Sequence, residues 1–184
     1  MSSFYFNCIF AVEMNPKFKI MKKLLLSIAF VAITFHANAQ FTPNIVLTGG
    51  LPMGNLKDAA SFALSADLYF MNPVSEYFDL GITTGYSIYV GKDFDEGLIQ
   101  VDAENFSYLP LAGAFRVVLL QDFLIGADVG YAFGLSEVTD GGFYYKPTLG
   151  FNLGESSQLV ISYQSIAEDG FTPNYIGVGF AFTL

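Results

Sequence analysis

From Ser61 onward the side chains alternate with a period of two, and the pattern returns in stretch after stretch to the end of the chain. Phe62, Leu64, Ala66, Leu68 and Phe70 share one face, with Ser61, Ala63, Ser65, Asp67 and Tyr69 on the other. A helix would place apolar residues three and four apart, so a period of two means strand. The second stretch sets Phe78, Leu80, Ile82, Thr84, Tyr86, Ile88 and Val90 against Tyr77, Asp79, Gly81, Thr83, Gly85, Ser87 and Tyr89. Further strands are expected at Tyr108–Leu119, Phe123–Leu135, Phe143–Leu153, Leu159–Ile166 and Tyr175–Leu184, with a shorter one around Ile45–Leu51. That makes eight. The apolar run Phe115–Leu135 carries Gly126, Gly130 and Gly134 at a helix-packing spacing, but Arg116, Asp122 and Asp128 interrupt it and its alternation favours strands.

The connections alternate too. Met71–Glu76, Leu120–Asp122 and Leu153–Ser156 are short, whereas Leu51–Ala59, Gly91–Glu104, Ser136–Gly142 and Ala167–Pro173 are mostly longer. Short turns on one side and long loops on the other describe a transmembrane barrel, in which an even strand number returns the chain to its starting side. The expected fold is all-β, an eight-stranded antiparallel up-and-down transmembrane β-barrel.

One face of the strands is large and apolar; the other is Gly, Ala, Ser and Thr with Asp67, Asp79, Arg116, Asp128, Lys146 and Gln164. The second set suits the interior of a narrow barrel, which about eight strands leave just wide enough for side chains. A hairpin turning symmetrically at Pro73 would place Asp67 opposite Asp79. Counting from the turns brings Arg116, Asp128 and Lys146 to the same layer. Asp67, Asp79, Arg116, Asp128 and Lys146 are therefore expected to form a structural lumenal charge cluster, since unpaired buried charge is costly. Pro110 and Pro147 fall inside strands and are expected to mark bulges.

The segment Met21–Gln40 has the layout of a secretory signal: Lys22 and Lys23, an apolar run Leu24–Phe35, and the small pair Ala37 and Ala39, with cleavage expected after Ala39. The run is too short to span a bilayer as a helix. Residues 1–20 read as an over-extended start, 21–39 as the signal, and 40–184 as the barrel domain. Cys8 and His36 both precede the cleavage site. The exported chain then offers no disulfide, Cys nucleophile or His base, and no catalytic residue, metal site or cofactor is expected. It carries Lys57, Lys92, Arg116 and Lys146 against sixteen acids, a net charge of −12 compared with −9 for the whole chain. A nucleic-acid partner is excluded on that charge. Most of the excess lies in the long loops, which are read as solvated and include Glu168 and the run Asp93-Phe94-Asp95-Glu96-Gly97, whose spacing does not match a full calcium loop.

The signal, the eight alternating strands and the closing Gly177-Val178-Gly179-Phe180-Ala181-Phe182-Thr183-Leu184 together resemble small Gram-negative outer-membrane barrels of the OmpA/OmpX-like architecture and the outer membrane protein beta-barrel domain families. The resemblance implies an outer-membrane location with both termini periplasmic, contact with outer-membrane lipid and lipopolysaccharide, and insertion by the barrel-assembly machinery. Phe180, Phe182 and Leu184 stand where that machinery reads a C-terminal signal, with Leu184 in place of the usual terminal Phe. The implied role is structural or surface-interacting, with an interior plugged by side chains. Two other readings remain open at this point: a soluble lipocalin-like barrel with the large face inward, and a lipid-modifying outer-membrane enzyme. A larger pore fails on length, because sixteen spanning strands would consume the whole exported chain.

Overall fold

The computed structural model describes residues 42–184 apart from 55, 93, 97–98, 102–104, 121, 155 and 169. The expected signal segment with Ala37 and Ala39, and the expected over-extended start, lie outside the described residues.

Eight strands close into an antiparallel barrel: β1 (Thr42–Pro52), β2 (Ala60–Ser75), β3 (Phe78–Gly91), β6 (Phe106–Leu120), β7 (Phe123–Gly134), β8 (Gly141–Asn152), β9 (Ser157–Ala167) and β10 (Asn174–Thr183). Sequence neighbours pair throughout, and β1 closes the ring by pairing with both β2 and β10. A short ribbon, β4 (Phe94–Glu96) and β5 (Ile99–Val101), extends the β3–β6 loop, and one helical turn, α1 (Leu56–Ala59), lies between β1 and β2. Strands of 10 to 16 residues are long enough to cross a bilayer at the usual tilt.

Closure labels the two faces, which alternation by itself leaves unlabelled. The large apolar residues are outside: Leu64, Phe70, Ile82, Leu111, Val129, Ile161, Val178 and Phe180 are all exposed. The residues between them are buried, among them Ser65, Asp67, Thr83, Ser87, Asp128, Lys146, Ser162 and Gln164. A soluble lipocalin-like barrel needs the reverse, so that alternative is set aside. On the β7–β8 hairpin, Phe123 pairs with Phe151 near the turn and Tyr131 with Phe143 near the loop, with Ile125 and Val129 between them facing outward. Eight residues of strand tilted by about 40° span roughly 20 Å of height, close to the apolar band between the aromatic girdles of membrane barrels.

Three details of the ladder differ from expectation. The β2–β3 hairpin turns at Glu76-Tyr77, and β2 runs on through Pro73, which pairs with Asp79 beside a register shift. Asp67 faces Gly85 instead of Asp79. The shift is an even number of residues, so Asp79 stays on the inward parity but lies about 20 Å farther along the strand than a turn at Pro73 would place it. The expected bulges at Pro110 and Pro147 are also absent. At each proline the ladder drops two pairs and resumes in the same register, Thr84↔Leu111 then Ser87↔Tyr108, and Tyr145↔Ser165 then Thr148↔Ser162. A missing N–H removes the proline's own pair and its predecessor's without requiring an extra residue. The Thr84 hydroxyl donates to the Pro110 carbonyl at 3.0 Å across the first gap.

Candidate functional site: the lumenal polar network

The inward faces of the strands deliver polar groups to the barrel interior, among them Ser65 and Asp67 of β2, Asp128 of β7, Lys146 of β8 and Gln164 of β9. Lys146 on β8 and Asp67 on β2 stand on diametrically opposite strands of the ring, yet Nζ and Oδ2 meet at 2.6 Å with both side chains 1% exposed. Ser65, two residues before Asp67 on the same face, donates to the same oxygen at 2.9 Å. A second pair joins neighbouring strands, with Arg116 Nη1 on β6 2.7 Å from Asp128 Oδ1 on β7. The other carboxylate oxygen of Asp128 accepts from the Tyr69 hydroxyl at 2.7 Å, and the Arg116 guanidinium lies 5.0 Å from the Tyr69 ring centroid. Four of the five cluster residues thus form two compensated pairs. Asp79, the fifth, faces Arg116 across the β3–β6 ladder without an ion pair among the described residues.

Room for these side chains comes from glycine on the facing strand. A Cβ at Gly85 would sit 2.4 Å from Asp67 Oδ1, and one at Gly126 would sit 2.4 Å from Arg116 Cδ and 2.8 Å from its Nη1. Gly85 is the direct partner of Asp67, and Gly126 of Arg116. The large polar group and its missing neighbour are matched pairwise.

Toward the loops the interior is aromatic. Tyr89, Tyr108, Tyr144, Tyr175 and Ile166 are fully buried, Phe106 is nearly so, and Tyr89 stacks on Phe106 at 5.1 Å. Buried hydroxyls need partners. Tyr175 Oη lies 3.0 Å from Ser65 Oγ and 3.1 Å from Gln164 Oε1, and Gln164 Nε2 crosses the ring to donate to Ser87 Oγ at 3.0 Å. Leu56 of α1 is buried in this layer, and the Phe171 ring packs edge-on against Phe106. Glu168, counted by sequence among the solvated loop acids, instead accepts from the Tyr108 hydroxyl at 2.8 Å and from the Gly141 amide at 2.9 Å, and also accepts from the Asp140 amide. It ties the β9–β10 loop to β6 and to the start of β8.

Sequence reasoning did not single out Tyr69, Tyr175 or Gln164 as members of the network. Their parity marks them as inward, but the bonds they make across the ring follow only from closure. At the other end of the molecule's sequence logic, Phe180, Phe182 and Leu184 stand exposed on the outer face of β10 and beyond its end. Asp93 and Gly97 of the acidic loop run lie outside the described residues, and no group of three His, Cys, Asp or Glu suited to a metal occurs among those described.

The crystal structure of Ail, the attachment invasion locus protein of Yersinia pestis, aligns with a TM-score of 0.55 over 80% of this chain and 99% of Ail, at 12% identity. The fold is that of a small outer-membrane barrel. Ail in a phospholipid bilayer nanodisc gives 0.53 over 79% and 100% at 13% identity. The de novo designed transmembrane barrel TMB2.3 gives 0.53 over 80% and 98% at 10% identity. No protein-family model and no curated protein matches the sequence. The barrel therefore shares its architecture with these proteins at identities where only architecture carries over.

Proposed function

We propose that this chain is an integral outer-membrane barrel that works as a closed, rigid support for its loops, with no open pore and no catalytic activity. The observation carrying this reading is the lumen itself: the Lys146–Asp67 bridge spans its full width beneath a layer of four buried tyrosines. Small barrels are packed by their own side chains, and here the bridge and the tyrosine layer close the lumen without leaving a charged path across it. Catalysis would need a poised acid, base or nucleophile, and the segment from Gln40 contains neither His nor Cys.

Export proceeds through the signal 21–39 with cleavage after Ala39, and assembly through recognition of Phe180, Phe182 and Leu184 on β10. The strand ends that carry Thr42 and Thr183 lie on the side of the short turns, which by the pattern of such barrels faces the periplasm. The outer face contacts lipid and lipopolysaccharide. Loops bearing Asp58, Asp95, Glu96, Glu137 and Asp140 on the opposite side favour cations or basic partners.

Single-channel recording on the purified protein in planar bilayers tests the closed lumen. Current indistinguishable from the bare bilayer is expected. Reproducible conductance steps would show that the lumenal network opens and that the barrel is a channel.

A further inference from the structure

Below the Lys146–Asp67 bridge the lumen is not filled. A cavity of about 310 Å³ opens there toward the short turns, walled by residues from β1, β2, β3, β6, β8 and β9 among others. That volume lies at the lower end of the range for small-molecule sites. The cavity is blind, because the bridge and the tyrosine layer stand above it.

Its wall chemistry is specific. Asp79 and Arg116 face each other across one ladder, Asn44 projects from β1, and Gln158 on β9 donates through Nε2 to Asn152 Oδ1 at 2.7 Å. Val160 adds an apolar patch between them. Planar amides, a carboxylate and a guanidinium are the groups that pair with adjacent hydroxyls, while apolar patches receive the C–H faces between those hydroxyls. The bonds of Arg116 to Asp128 and to the Phe115 carbonyl are both made by Nη1, so donors remain on a fork that has five. Its charge, however, is already balanced by the fully buried Asp128 at 2.7 Å. Asp79 lies outside that pair, so Arg116, Asp128 and an ionised Asp79 together carry a charge of −1. The turns at this end bear Glu76 and Asp122, both exposed, and no Lys or Arg. An acidic guest meets repulsion from the mouth inward.

We propose that this turn-side cavity is a binding site for a hydroxyl-rich solute of one or two sugar rings, neutral or amine-bearing, which enters from the side of the chain termini and leaves by the same route. Arg116 and the amides hold its hydroxyls, and Asp79 selects against carboxylated sugars. The site is independent of the loops on the other side and requires no passage through the barrel.

The test is an NMR titration of the folded, isotope-labelled protein in detergent micelles with N-acetylglucosamine, glucosamine and glucuronate as probes. The first two are expected to shift the amide signals of Asp79, Thr148 and Gln158 and to saturate by about 10 mM, with glucuronate at least about tenfold weaker. Asp79→Asn should narrow the gap between glucosamine and glucuronate, and Gln158→Leu should weaken all three. Each variant is first shown to retain the parent's heat-dependent gel mobility, and if Asp79→Asn does not fold, the Gln158→Leu comparison and the glucuronate discrimination decide. No shift with any sugar would mean a cavity that holds water only, and glucuronate binding as well as glucosamine would refute the charge argument; either result overturns the proposal.

Discussion

Lys146 Nζ and Asp67 Oδ2 lie 2.6 Å apart although their strands are on opposite sides of the ring, so a single ion pair spans the barrel. Removing one partner leaves a buried charge uncompensated, which costs about 3–5 kcal/mol, whereas replacing both with neutral groups costs much less. Lys146→Met is therefore expected to lower the unfolding free energy in urea titrations by about that amount. The double variant Lys146→Met, Asp67→Asn should recover most of the loss. Equal losses in the single and double variants would show that the two charges do not interact.

The pairing of each charged side chain with a facing glycine gives a second expectation. Gly85→Ala and Gly126→Ala place a methyl group against Asp67 and Arg116, and overpacking of this kind costs about 1–3 kcal/mol. Gly113→Ala is the control, since its nearest atom would be 3.9 Å away, and it should leave stability within about 0.5 kcal/mol. The same urea titrations distinguish the three.

At Pro147 the ladder loses two pairs without losing register. Pro147→Ala restores an N–H opposite an existing strand, so a new slowly exchanging amide is expected at residue 147, with the neighbouring amides unshifted in register. Hydrogen exchange followed by NMR reads this directly. A fast-exchanging amide there would mean that the gap has a cause other than the missing donor.

Val129 points outward beside the inward Asp128, within the apolar band and two residues from its Tyr131 rim. Val129→Arg should cost about 1–3 kcal/mol when unfolding is measured in lipid vesicles, between the midplane and interface values for a cation on a membrane barrel. On a water-facing surface the same change would be close to neutral.

Much of this architecture was legible in the sequence because a period of two is itself strand geometry, and because the outward set from Phe62 to Phe182 is mostly large and apolar while the charged residues of the strands fall on the inward set. The register of Asp67 and Asp79 was not legible. Displacing a hairpin by an even number of residues preserves every side chain's face, so alternation is blind to it, and Pro73 looked like a turn when it sits near the end of β2. Pro110 and Pro147 were read as bulges because a closed barrel has no edge to accommodate them, but losing two ladder pairs proved sufficient. Tyr69, Tyr175 and Gln164 were marked only by parity, since their partners stand on strands distant in sequence. Glu168 looked like a solvated loop acid, and only the approach of Tyr108 and Gly141 reveals it as a fastening.

An integral barrel of this kind turns its large apolar face to lipid. Fractionation of expressing cells, with each fraction run on a gel before and after heating, tests it in one measurement. Recovery in the outer-membrane fraction is expected, with a mobility that changes on heating, as a folded barrel opens. Recovery in the soluble periplasm would contradict it.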